Sequence, residues 1–258
     1  MNESQEALRA IVTGASSGIG EHIARSLAAR GYRVVLVGRR GERLVRLAEQ
    51  IGHRTEYVIC DLSNECDVSS LIQAYPRTTV LVNCAGFANW GKFANSQWDQ
   101  QRAVIMVNAL TPARLCHHYL AGMIEQGRGH ILNVSSTAGE SFAPLYSTYV
   151  GAKAFVLQFT RSLGLEMPPG VTVTCLIPGP TATEFCTRAG MREARGRRVR
   201  LQADPLEVAE FAVRLMEAGA LSGSPGIGNT LKRVLKRCIP EGIWSKIIRR
   251  RMAALEER

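Results

Sequence analysis

Short runs of apolar and β-branched residues recur along the chain, and between them apolar residues return every three or four positions. The runs at Ala7–Val12, Arg33–Val37, Thr55–Cys60, Thr79–Val82, His130–Val134 and Val171–Ile177 have strand length. The intervening patterns at Ile19–Arg30, Glu42–Ile51, Cys66–Ala74, Ser96–Glu125, Thr148–Glu166 and Pro205–Ala218 read as helices; Leu44, Leu47, Ala48 and Ile51 mark one such face. Regular alternation of the two predicts an α/β fold: a single doubly wound parallel sheet of Rossmann type with helices on both faces. Residues 219–228 are rich in Gly, Ser and Pro and make a poor strand. Beyond them, Leu231, Val234, Leu235, Ile239, Ile243, Trp244, Ile247 and Ile248 interleave with lysines and arginines, which predicts two short basic amphipathic helices broken near Pro240. The expected organisation is one folded domain over 1–218, with 219–258 as a basic extension of the same domain.

At 258 residues, 46% of them hydrophobic, the chain can bury the core of one large domain. No segment approaches the ~18 uninterrupted apolar residues of a membrane-spanning helix. The polar start, Met1 to Arg9, has no apolar stretch of signal-peptide type, so a cytoplasmic protein is expected. Seven cysteines, an odd number without a CxxC pair, read as reduced thiols rather than a disulfide framework or a metal site.

The net charge of +10 is concentrated: residues 188–200 carry +5 and residues 219–258 carry +6, leaving the rest close to neutral. That local excess argues against a general nucleic-acid binder, which would show a basic face or a reading motif.

The chemistry begins at Ile11-Val12-Thr13-Gly14-Ala15-Ser16-Ser17-Gly18-Ile19-Gly20, a strand running through a glycine-rich turn into a helix. Such a turn brings backbone N–H groups to a pyrophosphate at a helix N-terminus. The second strand ends Val37-Gly38-Arg39-Arg40, without the carboxylate that NAD-selective sites use to hold a ribose 2′-hydroxyl. Arg39 offers a planar cationic fork to a 2′-phosphate, so NADP(H) is the expected cofactor. The plainer reading of the two arginines is that they solvate the start of the next helix. Farther on, Tyr149 and Lys153 stand four residues apart on one helical face, close enough to act together.

The Gly-x-x-x-Gly-x-Gly spacing resembles the classical short-chain dehydrogenase/reductase family, and six further positions over roughly residues 7–218, the Tyr149/Lys153 pair among them, carry the resemblance. Asp61-Leu62 resembles the adenine-pocket acid and its neighbour. Asn83-Cys84-Ala85-Gly86 resembles an Asn-Asn-Ala-Gly turn, with Cys84 replacing the second Asn. Asn108 falls at the catalytic Asn position. Ser136, thirteen residues before Tyr149, falls at the catalytic Ser position in preference to Ser135. Pro178-Gly179 with Thr181 and Thr183 resembles the loop that meets the nicotinamide carboxamide. The family's other basic position, before Gly18, holds Ser17, so Arg39 is expected to do most of the cofactor discrimination.

The resemblance implies roles for these residues. Tyr149 would be the acid/base. The ammonium of Lys153 and the oxidised nicotinamide would lower its phenol from the usual value near ~10. Lys153 would also bond the nicotinamide ribose, Ser136 would bind the substrate oxygen as charge develops on it, and Asn108 would hold a water linked to Lys153. Gly14, Ser16, Ser17, Gly18, Ile19, Gly20, Asp61, Leu62, Asn83, Ala85, Gly86, Pro178, Gly179, Thr181 and Thr183 would contact the cofactor. Tyr146 and Trp90 read as pocket walls, and His117-His118 as packed or solvated.

The expected reaction is reduction of a ketone or aldehyde, with apolar or acyl carbonyls such as 3-oxoacyl thioesters as the leading substrates. The alternatives are an alcohol or hydroxysteroid-type dehydrogenase running oxidatively, and a non-catalytic dinucleotide-binding regulator. The regulator would need the glycine turn but not Asn108, Ser136, Tyr149 and Lys153 together. The arginines of 188–200 read either as a solvated lid or as a steering surface for an anionic handle on a carrier- or CoA-linked substrate. The basic tail reads either as packed helices or as a peripheral membrane contact. The resemblance further implies a homo-oligomer paired through the helices bearing Asn108 and Tyr149.

Overall fold

A computed structural model describes residues 8–190, 202–226 and 241–256, with side chains described as far as 250 in the last segment. Seven parallel strands form one sheet in the order β3-β2-β1-β4-β5-β6-β7. They are β1 (Arg9–Thr13), β2 (Arg33–Gly38), β3 (Thr55–Ile59), β4 (Val80–Asn83), β5 (Gly129–Val134), β6 (Val171–Leu176) and β7 (Ser222–Gly223). The helices are α1 (Gly18–Ala29), α2 (Gly41–Ile51), α3 (Glu65–Ala74), α4 (Trp98–Ile105), α5 (Thr111–Glu125), α6 (Ser147–Leu165), α7 (Phe185–Arg188) and α8 (Pro205–Glu217), followed by a C-terminal helix, Glu241–Glu256.

The near-continuous apolar strands have a direct cause: both faces of the sheet are covered. On β1, Ala10 and Val12 pack with Ile23 and Leu27 of α1 and with Val208, Val213 and Met216 of α8. Ile11 points the other way, into a second cluster with Leu81, Ile131, Val68 of α3 and Leu115, Tyr119 and Met123 of α5. The predicted poor strand contributes only two residues, Ser222 and Gly223, paired with Cys175 and Leu176 of β6. The first predicted tail helix falls outside the described residues. The second is present and docks against the domain, its Trp244 indole N–H donating to Ser141 Oγ at 3.2 Å.

The sheet order reverses between β1 and β4, and the crevice beyond their C-terminal ends is where such sheets bind ligands. One further feature serves that crevice. The helix predicted as a single unit over 96–125 changes register at Met106–Leu110, a π-helical turn centred on Asn108. Pro112, four residues after Asn108, has no N–H to give the Asn108 carbonyl its usual helical partner. The ladder shifts instead, and the Thr111 N–H bonds the Met106 carbonyl.

Candidate active site

The crevice is a cleft of about 500 Å³, running from the glycine turn past Asp61 to Tyr149 and walled on its far side by residues 178–188. Its floor is shaped for a ligand's close approach. Gly14 lies at φ 71° and Gly18 at φ 59°, in the left-handed region that favours glycine. A Cβ on Gly14 would come within 2.7 Å of the Ala85 backbone, so the glycine turn and the 83–86 turn can pack only without one. Thr13 ties the same two turns together: its Oγ1 donates to the Val82 carbonyl and accepts from the N–H groups of Cys84 and Ala85. With the N-terminus of α1 opening at Gly18, this is a cradle able to take a dinucleotide pyrophosphate.

At the inner end, Lys153 is buried and its Nζ donates to the Val134 carbonyl at 2.8 Å. Burial lowers its pKa to about 8. Ser136 Oγ caps a short 3₁₀ turn by accepting the Ala138 N–H at 3.1 Å, and the same hydroxyl hydrogen-bonds Tyr149. Ser135 points away, donating to the Lys153 carbonyl at 2.7 Å. Gly139 permits this closeness, because a Cβ there would meet the Lys153 carbonyl group at 2.7 Å.

Asn108 is fully buried behind the cleft; its Nδ2 donates to the carbonyls of Phe87 and Val104. Its Oδ1 has no partner within the protein, and it lies 2.7 Å from where a Gly86 Cβ would stand, with Lys153 Nζ 3.4 Å from the same point. A buried oxygen left open beside an amine fits a site completed by a bound molecule.

One expectation needs correction. Asn83 does not line the cleft: its Nδ2 donates to Asn133 Oδ1 at 2.8 Å, inside the sheet, in a buried network that continues to Thr160. The side chain at the end of β4 turns into the core, while Ala85 and Gly86 face the cleft. Among the protein's own groups, burial outweighs the Ser136 hydrogen bond and pushes the Tyr149 phenol up; the expected lowering included the charge of an oxidised nicotinamide. Lys153 does not counter this; its Nζ stands 5.8 Å from the Tyr149 ring centroid, turned toward Val134. Arg39 borders the cleft, half-exposed, where it pairs with Asp61 at 3.7 Å and lies over Phe87. It is Arg40 that reaches the glycine turn, donating from Nη2 to Ser16 Oγ at 2.8 Å and Ser17 Oγ at 2.6 Å. Nothing in the sequence ranks the two arginines.

Every other predicted residue except buried Asn108 borders the cleft: Ser16, Ser17, Gly18, Ile19, Gly20, Arg39, Asp61, Leu62, Ala85, Gly86, Ser136, Tyr149, Lys153, Pro178, Gly179, Thr181 and Thr183, with Gly14 at its floor. Asp61 is held below the usual carboxylate range: burial pushes it up, but the Ser63 hydrogen bonds and Arg39 outweigh that. Trp90 and Tyr146 form one wall, their rings edge-to-face at 4.8 Å. Tyr146 follows Leu145, which takes a left-handed φ of 68° while its carbonyl accepts the Gly91 N–H. Sequence reasoning missed Arg40, Glu184, Phe185 and Cys186. Phe185 packs on Tyr149 with ring centroids 5.2 Å apart. Of the basic loop, Arg188 borders the cleft, and 191–201 lie outside the described residues. His118 packs edge-to-face on Tyr119. Among the described residues, no cluster of His, Cys, Asp and Glu could hold a metal ion, and no helix is long and apolar enough to cross a membrane.

Residues 9–194 match the model of the short chain dehydrogenase family. The chain belongs to the short-chain dehydrogenase/reductase family. It is 34% identical over 215 residues to sulfoacetaldehyde reductase 2 of Chromohalobacter salexigens, covering 78% of this chain and 84% of that protein. Among solved structures, a 7beta-hydroxysteroid dehydrogenase superposes with a TM-score of 0.85 at 28% identity, covering 96% of this chain and 99% of the other. A short-chain dehydrogenase from Sphingobium yanoikuyae in complex with NADPH superposes with a TM-score of 0.79 at 28% identity, covering 91% and 96%. The protein is thus a short-chain oxidoreductase built to bind a nicotinamide dinucleotide.

Proposed function

We propose that the protein is an NADP(H)-dependent carbonyl reductase. The observation that carries the cofactor preference is the placement of Arg40 on the hydroxyls of Ser16 and Ser17, with Arg39 beside it and no carboxylate at the end of β2. A permanently charged fork against the glycine turn recognises a ribose 2′-phosphate. The NADPH complex of the Sphingobium relative agrees with this reading. The bound nicotinamide supplies the hydride.

The protein's own groups do the rest. Ser136 Oγ, already bonded to Tyr149, orients the substrate carbonyl oxygen and stabilises charge developing on it. Tyr149, hydrogen-bonded to Ser136 beside the substrate oxygen, is placed to donate its phenolic proton to the forming alkoxide. Lys153, with its pKa brought down to about 8 and its Nζ 5.8 Å from the Tyr149 ring, exchanges protons near neutral pH and so can resupply the phenol. The apolar wall of Trp90, Tyr146 and Phe185 favours an apolar or acyl carbonyl substrate.

The test is consumption of NADPH and of NADH over a panel of ketones, aldehydes and 3-oxoacyl thioesters, with Tyr149→Phe in parallel. The reading expects Tyr149-dependent turnover with NADPH ahead of NADH; equal use of both cofactors defeats the NADP assignment.

A further inference from the structure

Across the mouth of the cleft, one carboxylate joins two arginines. Glu184, just before α7, accepts from Arg40 Nη1 at 2.7 Å and from Arg43 Nη1 at 2.8 Å. Arg40 also holds Ser16 and Ser17, so four of its five guanidinium N–H groups are committed. Arg188, one turn beyond Glu184, adds a further positive charge felt by the same group. On the α7 side, the described residue that brings a negative charge to these cations is Glu184, itself exposed and therefore easily moved. Its segment is otherwise fixed by Thr183 against Gly18 and by the Ala182 N–H on the Ala203 carbonyl.

We propose that Glu184 is a specificity-determining residue: a built-in anion that occupies the arginine seat of the cofactor's 2′-phosphate and must be displaced by it. This rests on the NADP(H) reading above. A phosphate brought to the Nη1 edge of Arg40 comes up against the Glu184 carboxylate already bonded there and is repelled by it. Arg43 retains the carboxylate when Arg40 is taken. The consequence is a discount applied only to the phosphorylated nucleotide: Glu184 weakens NADP(H) binding and leaves NAD(H) untouched, narrowing a preference that Arg40 alone would make steeper.

The experiment titrates the full chain with adenosine 2′,5′-bisphosphate and with 5′-AMP by calorimetry, for wild type, Glu184→Gln and, as a control for general charge, Glu42→Gln at the exposed start of α2. Glu184→Gln should tighten the bisphosphate by at least about threefold, as loss of a pair of exposed ion pairs implies. It should leave 5′-AMP unchanged, and Glu42→Gln should shift neither. Weaker or unchanged bisphosphate binding in Glu184→Gln overturns the inference, as does a gain matched by 5′-AMP or by Glu42→Gln. If wild type does not distinguish the two nucleotides, the NADP reading fails by itself. The inference then survives only where Glu184→Gln acquires a preference for the bisphosphate, and falls where it does not.

Discussion

Lys153 donates its Nζ to the carbonyl of Val134 at 2.8 Å, from a position where almost no solvent reaches it. That single bond is poor compensation for a desolvated ammonium, and burial accordingly brings the pKa from 10.5 to about 8. The unfolded chain therefore binds more protons than the folded one between about pH 8 and 10.5. Stability from this group rises across that window and is at its least below it. Lys153→Met should raise the unfolding free energy at pH 7 by on the order of 2 kcal/mol, less whatever is lost at the Val134 carbonyl, while turnover disappears. The gain should shrink as pH climbs from 8 toward 10.5. Denaturant unfolding at pH 7 and pH 10 checks it; a lysine variant that is destabilised equally at both pH values would refute the burial cost.

Tyr149 is expected to act through its hydroxyl alone. The ring is packed between Tyr146 and Phe185, so Tyr149→Phe keeps the contacts and removes only the oxygen. Turnover should fall by about 10² to 10⁴, the range for loss of a positioned acid. Cofactor affinity should change little, since the cradle at Gly14 and Gly18 is untouched. Steady-state rates and a fluorescence titration with NADPH separate the two effects.

How far the chain could be read in advance follows from what each signal depends on. Strand positions on β1, β2, β5 and β6 were legible because burial on both faces leaves unbroken apolar runs, and the helices were legible through their one-sided periodicity. Ser136 could be chosen over Ser135 by spacing, and Ser135 indeed turns to the Lys153 carbonyl. Asn83 was misplaced because a residue at the end of a strand can face either the core or the crevice, and only its partner Asn133 on β5 decides. The π turn at Met106–Leu110 was signalled by Pro112, whose missing N–H is a local fact, but its effect on Asn108 is a matter of helix register. The weight of Glu184 was invisible: it depends on two arginines 141 and 144 residues away.

Gly86 tests the floor of the cleft. Its φ is not in the left-handed region, so alanine carries no backbone penalty there, and any effect is steric. The added Cβ would stand 2.7 Å from Asn108 Oδ1 and 3.4 Å from Lys153 Nζ. Asn108 is held by two carbonyls and cannot withdraw freely. Gly86→Ala should cost about 1–3 kcal/mol of stability, as overpacking does, and should depress kcat more than the affinity for adenosine 2′,5′-bisphosphate, because the clash lies at the lysine end. Thermal unfolding beside single-turnover rates would show it. A variant with wild-type kcat would mean that Asn108 and Lys153 do not work through this gap.

The two arginines at the end of β2 should prove unequal. Arg40 makes four hydrogen bonds, to Ser16, Ser17 and Glu184, and its side chain is 24% exposed; Arg39 is 52% exposed, with one long ion pair to Asp61. An exposed, loosely paired arginine has little preorganised geometry, whereas one fixed against the glycine turn meets a phosphate with its fork already oriented. Arg40→Ala should raise the KM for NADPH by roughly tenfold or more and leave that for NADH within about twofold, since a charge-assisted bond is worth about 1.5–3 kcal/mol. Arg39→Ala should show a smaller NADPH effect. If instead Arg39→Ala produces the larger loss, the side chain must swing from Asp61 onto the phosphate when the cofactor enters. The inward arginine would then be the one read from the sequence.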